Sequence, residues 1–194
     1  MTTPSHDNRK RNQILDSAAV LFSQRGFGKT SIRFLADEAQ VSTSTIYSYF
    51  SDKNDLLLQS IDHRLSLIEA KVLAATEQDG EPVAALAHIL SIIHKALNND
   101  PFMRKIITFD PHVVDHRLHE RAKLARDRIR QLAITGLLDA VHSNHLDCED
   151  VEALESVCRL AFQGWLLSVE NGSEEVSEER FTNMLVYLIE GRCR

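Results

Sequence analysis

Apolar residues recur along this chain at helical spacing, in segments punctuated by Gly, Pro, Asn and Asp. The first segment runs from about Asp7 to Gln24, turns Ile14, Leu15, Ala18, Leu21 and Phe22 inward, and stops near Gly26. Two short helices are predicted next. In one, Ile32, Leu35, Ala36 and Ala39 form a stripe behind Thr30, the expected N-cap. Gln40 and Val41 make a turn, Ser42 caps the other, and only Ile46 and Phe50 of that second helix point firmly inward. A fourth helix starts after Ser51, its expected cap, and carries Leu57, Ile61, Leu65, Ile68, Val72 and Ala75 as far as Asp79-Gly80-Glu81-Pro82.

Pro82 opens a fifth helix with Val83, Leu86, Leu90, Ile93 and Leu97 on one face. Asp100-Pro101 and Asp110-Pro111 each read as an N-cap followed by proline at the first helical position. Between them lies a short apolar sixth helix with Phe102, Met103, Ile106, Ile107 and Phe109. The seventh runs to about His145 on Leu118, Ala122, Ala125, Ile129, Leu132, Leu137 and Val141. Asp147 is the expected cap of the eighth, which carries Leu154, Val157, Cys158, Ala161, Phe162, Trp165, Leu166 and Val169 to Asn171-Gly172. Ser177 caps the ninth, with Phe181, Met184, Leu185, Leu188 and Ile189. No strand pattern occurs, so the fold class is all-α with about nine helices.

The third helix changes the picture. Away from Ile46 and Phe50 it shows Thr43, Ser44, Thr45, Tyr47, Ser48 and Tyr49, all neutral hydrogen-bonding groups without an acidic residue. Such a surface suits a DNA groove; the competing reading is an ordinary amphipathic helix rich in Ser and Thr.

The surrounding residues resemble the TetR family of transcriptional regulators. The resemblance rests on A-A-x-L-F (Ala18, Ala19, Leu21, Phe22), G-F-G-K-T-S-I-R (Gly26 to Arg33) and L-A-D-E-A (Leu35 to Ala39). It continues through V-S-T-S-T-I-Y-S-Y-F (Val41 to Phe50) and K-N-D-L-L (Lys53 to Leu57), covering roughly the first third of the chain. Gln40 stands where the family usually has Gly, so either it adopts a left-handed conformation at some cost or the turn differs locally; Ser44 also replaces a frequent Gly. The resemblance implies a DNA-binding domain over residues 7–53, with the helix–turn–helix at about 31–50, and a ligand-binding and dimerisation domain over 54–194. It also implies a homodimer joined through helices eight and nine, and a fourth helix that couples effector to DNA.

Composition sets limits on this reading. The 194 residues carry a net charge of -6, which by itself argues against a nucleic-acid partner. Residues 1–53, however, hold seven basic groups against five acidic ones, so the acidic excess lies in the remainder. Arg9, Lys10 and Arg11 cluster at the first helix, where they either neutralise phosphates or are simply solvated. Cys148, Cys158 and Cys193 form no C-x-x-C, which points to a reducing cytoplasm; no signal peptide or membrane-spanning run is read. Gly28-Lys29-Thr30 imitates the end of a phosphate loop, but Ser23 replaces the required glycine and a helix precedes it. With no nucleophile elbow, no H-E-x-x-H and no paired cysteines, neither an enzyme nor a cofactor is called for. An all-α carrier or enzyme using a central cavity, or a protein-binding adaptor, remains the alternative.

The DNA contacts expected are Ser42, Thr43, Ser44, Thr45, Tyr47, Ser48 and Tyr49, supported by Ser31, Arg33 and Lys53. Thr43 and Ser44 are best placed for base edges; the Tyr47 and Tyr49 phenols and the Lys53 ammonium suit phosphates. Phe102, Met103, Phe109, Phe162 and Trp165 either line a hydrophobic effector pocket, with His88 or His94 as a polar anchor, or are plain core. Ala161 and Gly164 permit close approach in a dimer interface that also uses Met184, Leu185 and Leu188. His112, His116 and His119, beside Asp115 and Glu120, share a helical face; a solvated face is preferred there to a metal site.

Overall fold

The computed structural model describes residues 6–76, 82–111, 113–114, 118–143, 150–172 and 176–192, and these form helices and turns without a strand. Nine helices appear among them: α1 His6–Arg25, α2 Ile32–Glu38, α3 Thr43–Tyr49, α4 Lys53–Thr76, α5 Pro82–Asn98, α6 Pro101–Ile107, α7 His119–His142, α8 Val151–Glu170 and α9 Glu178–Arg192. The chain divides into two compact units, Met1–Ser66 with Pro101–Ala125, and Leu67–Asp100 with Arg126–Arg194. Both α4 and α7 therefore contribute residues to each unit.

In the first unit α1 is the central element, packed by α2 and α6. Its predicted stripe is buried: Ile14, Leu15, Ala18 and Phe22 lie inside with Leu35, Ile46, Phe50, Leu56, Leu57 and Leu65. Phe22 meets Phe27 at a ring-centroid distance of 5.5 Å and Phe102 at 6.4 Å. Burial of each such side chain stabilises by about 1.5–3 kcal/mol, enough to hold short helices that would not persist alone. Lys105 closes the α1–α6 contact by donating to the Ser23 carbonyl at 2.9 Å.

The sixth helix is shorter than expected. It ends at Ile107, and Phe109 follows with φ 56, while Asp110 N–H returns to the Lys105 carbonyl at 2.9 Å. Phe109 thus occupies the left-handed position of a helix stop where glycine is usual. Asp110-Pro111 then forms one isolated turn, its carbonyl accepting from Val113 and Val114, and α7 begins only at His119.

In the second unit Leu86 and Leu90 of α5, Leu137 of α7 and Leu154 of α8 form a buried cluster. Gly136 makes the α5–α7 approach close: a Cβ there would lie 2.9 Å from Ile89 Cδ1. Asp150 caps α8 by accepting from Ala153 N–H at 2.9 Å; the expected cap, Asp147, lies outside the described residues. Ser177 caps α9 as expected, and Gly172 ends α8 with φ 67. No helix among the described residues is long and apolar enough to cross a membrane.

Candidate nucleic-acid interface

Gly26, at φ 80, ends α1 and turns the chain back toward α2. Thr30 follows this return inward: it is buried, and its hydroxyl donates to the Gly26 carbonyl at 2.8 Å. The N-cap of α2 is therefore Ser31, whose Oγ accepts from Phe34 N–H at 3.2 Å. A left-handed Gln40 at φ 53 stops α2, with Val41 N–H returning to the Ala36 carbonyl at 2.9 Å. The Gln13 side chain seals this turn by donating to the Ala39 carbonyl at 3.0 Å.

Ser42 starts α3, accepting from Thr45 N–H at 3.0 Å, and its hydroxyl also meets those of Ser44 at 2.7 Å and Thr45 at 2.8 Å. Ile46 and Phe50 are buried, as the periodicity required, and fix which face turns outward. That face exposes Thr43, Ser44, Tyr47 and Ser48, with Thr45 and Tyr49 half-buried. Ser48 donates back to the Thr45 carbonyl at 2.7 Å, while Arg33 stays exposed on α2. Exposed Phe34 is covered by the Arg25 guanidinium, 4.8 Å from its ring centroid.

Two expected phosphate contacts are engaged elsewhere. The Tyr49 phenol donates to the Asp7 carboxylate at 2.5 Å; that hydrogen bond, then desolvation, holds its pKa above the ordinary tyrosine value. Lys53 is half-buried, and its ammonium donates to the carbonyls of Phe27 and Thr30, both at 2.9 Å. The cap of α4 is Asp52, which accepts from Asp55 N–H at 2.8 Å, and not Ser51, whose own N–H and hydroxyl donate to the Asp55 carboxylate. Bonds from Gln59 first, and from the Ser51 backbone, hold the Asp55 carboxyl below the usual range. Asp7 and Phe27 escaped the sequence reading because nothing local marks a carboxylate or a ring as a partner 42 or 26 residues away.

The expected effector residues are distributed over the two compact units. Phe102 and Met103 belong to the core of the first unit, where α6 packs on α1, and Phe109 is a helix stop stacked on His119 at 4.8 Å. His88 is exposed on α5. In the second unit His94, Phe162 and Trp165 do come together, joined by Phe181 and Thr182 of α9. His94 is buried, its Nδ1 lies 2.6 Å from Thr182 Oγ1, and burial pushes its pKa down to about 3. Trp165 donates its indole N–H to the Val176 carbonyl at 3.0 Å.

Of the expected dimer residues, Leu185 is buried inside its own protomer and Ala161 is half-buried. Met184 and Gly164 are exposed; the Leu188 side chain lies outside the described residues. Val157, Leu160, Leu167 and Tyr187 on α8 and α9 are likewise exposed, and with Met184 span 44% to 68%. Cys158 lies among the α8 residues with its thiol pushed up to about 11 by burial, which disfavours the reactive thiolate. His112, Asp115 and His116 lie outside the described residues.

Residues 14–59 match the family model of bacterial regulatory proteins, tetR family. The HTH-type transcriptional regulator HbdR of Aromatoleum sp. (strain CIB) is 38% identical over 88 residues, 45% of this chain but only 38% of that protein. The whole fold is similar to the transcriptional regulator FadR from Bacillus subtilis, solved with stearoyl-CoA, at TM-score 0.77 and 16% identity over 94% of this chain and 99% of that one. It is also similar to AibR, solved with isovaleryl coenzyme A and operator DNA, at TM-score 0.68 and 15% identity over the same shares of the two chains.

Proposed function

We propose that this chain, whose residues 14–59 match the family model of bacterial regulatory proteins, tetR family, is a homodimeric, ligand-responsive DNA-binding transcriptional regulator, acting as a repressor in the cytoplasm. The observation that carries this reading is α3: buried Ile46 and Phe50 lock it, and Thr43, Ser44, Tyr47 and Ser48 face outward without a carboxylate among them. Residues 7–53 form the DNA-binding domain and 54–194 the ligand-binding and dimerisation domain. Thr43 and Ser44 meet base edges at the start of the helix; Ser31, Arg33 and Tyr47 meet the phosphate backbone.

A two-fold dimer presents two copies of α3 to successive major-groove faces, about 34–36 Å apart, so the operator is a near-palindrome. Exposed apolar residues on α8 and α9 support that dimer. The effector is a hydrophobic small molecule. An acyl thioester of coenzyme A is the first class to test, since FadR and AibR were both solved with one. It need only favour the state that does not fit DNA: a hundredfold preference supplies about 2.7 kcal/mol. Function rests on binding, not on catalysis.

Selection of bound sequences from a random duplex pool tests the proposal. Enrichment of an inverted repeat is expected, with stearoyl-CoA and shorter acyl thioesters then screened for release. A pool that stays random after several rounds overturns the DNA-binding reading.

A further inference from the structure

We propose that Lys53 is a positioning residue that pins the first turn of α4 to the loop in front of α2, so that the start of α2 follows α4. The proposal rests on the DNA-binding reading above. The Lys53 ammonium donates to the Phe27 carbonyl and to the Thr30 carbonyl, each at 2.9 Å, and stands 4.3 Å from the centroid of the Phe27 ring. Phe27 is itself buried against Phe22, so the ring beneath the cation is fixed by the core. Thr30 is the residue before Ser31, the N-cap of α2. A single side chain at the first position of α4 therefore ends on the peptide immediately preceding the helix that carries Ser31 and Arg33.

The loop is built around this contact. Gly26 turns at φ 80, the Thr30 hydroxyl returns to the Gly26 carbonyl, and Thr30 N–H lies 3.3 Å from the Phe27 carbonyl. Charge-assisted bonds to carbonyls are strong and directional, and the aromatic face adds attraction. An ammonium held in this way orients α2 whether or not DNA is present. A phosphate contact alone would instead leave its geometry to be set by the duplex.

The experiment uses the duplex selected by the wild type and a random-sequence duplex, with anisotropy titrations at four salt concentrations. Wild type, Lys53→Gln, Lys53→Arg and Phe27→Leu are compared, each checked for helical circular dichroism. Lys53→Gln is expected to weaken selected-duplex binding about tenfold at every salt concentration. Its slope of log affinity against log salt should match wild type, and random-duplex binding should fall less. Lys53→Arg, whose guanidinium can bridge two carbonyls, should recover most of the loss. Phe27→Leu, which removes no charge, should weaken selected-duplex binding at an unchanged slope.

A slope shallower by about 0.9 in Lys53→Gln, with equal loss on both duplexes, identifies a phosphate contact and overturns the proposal. Unchanged affinity in Lys53→Gln overturns it too. If Lys53→Gln loses helicity, Phe27→Leu decides: weaker binding at unchanged slope supports the pin, and wild-type affinity refutes it. A wild type that binds no duplex removes the functional reading and this inference together; failure of the variants alone removes only the inference.

Discussion

Tyr49, the last residue of α3, donates its phenol hydrogen to Asp7 in the first turn of α1 at 2.5 Å. The carboxylate thereby occupies a phenol that the sequence assigns to DNA. A phosphate that uses the Tyr49 hydrogen must displace Asp7 and approach a like charge. The raised pKa keeps the phenol protonated throughout the neutral range, so this donor does not switch with pH.

Asp7→Asn is therefore expected to strengthen duplex binding. Removing one negative charge near a phosphate is worth about 1 kcal/mol in a solvated setting, about fivefold in affinity. The gain should shrink as salt rises, because the pair is exposed. Anisotropy titrations at low and high salt check this; weaker binding by Asp7→Asn would show that the bond to Asp7 is needed to present α3.

The dimer prediction rests on Gly164. A Cβ at this exposed position meets nothing within 4 Å in its own protomer, while Leu160 and Leu167 flank it on the same exposed face of α8. Gly164→Leu should leave the monomer folded, and slightly favoured because glycine is a poor helix former, by about 1 kcal/mol. It should block close approach of a second copy. Sedimentation at micromolar concentration should give a dimer for wild type and a monomer of unchanged helicity for the variant.

His94 gives the protein an acid-sensitive core. Its folded pKa is lowered to about 3 by burial, so the unfolded chain, titrating near 6.5, binds the proton more readily. This stability is fully present above about pH 6.5 and is lost as pH falls toward 3, at roughly 1.4 kcal/mol per pH unit in between. No titratable side chain is among its ring neighbours Phe162, Trp165 and Phe181, nor is Thr182 one. Melting temperatures at pH 7.5 and 5 should differ in wild type, and much less in His94→Leu.

What was legible in the sequence was what local chemistry decides. Ile46 and Phe50 settled the orientation of α3 and Ser42 capped it, while Gln40 took the left-handed one of the two turn conformations that the resemblance left open. The caps of α2 and α4 fell one residue later than expected because Thr30-Ser31 and Ser51-Asp52 each offer two competent cap residues. Tertiary packing made that choice: the inward course of the chain after Gly26 draws the Thr30 hydroxyl to its carbonyl. Phe102 and Trp165 have similar aromatic signatures in sequence yet belong to different compact units. Thr182, which no local pattern singles out, is buried on α9 beside His94 of α5.

The salt dependence of duplex binding by the wild-type protein tests the central claim most directly. A dimer whose two heads neutralise several phosphates each should show log affinity falling linearly with log salt, with a slope of about −4 or steeper. The selected inverted repeat should stay well above random duplex across the range. A flat line, or equal affinity for the two duplexes at every salt concentration, would contradict the assignment of α3 as a DNA-reading helix.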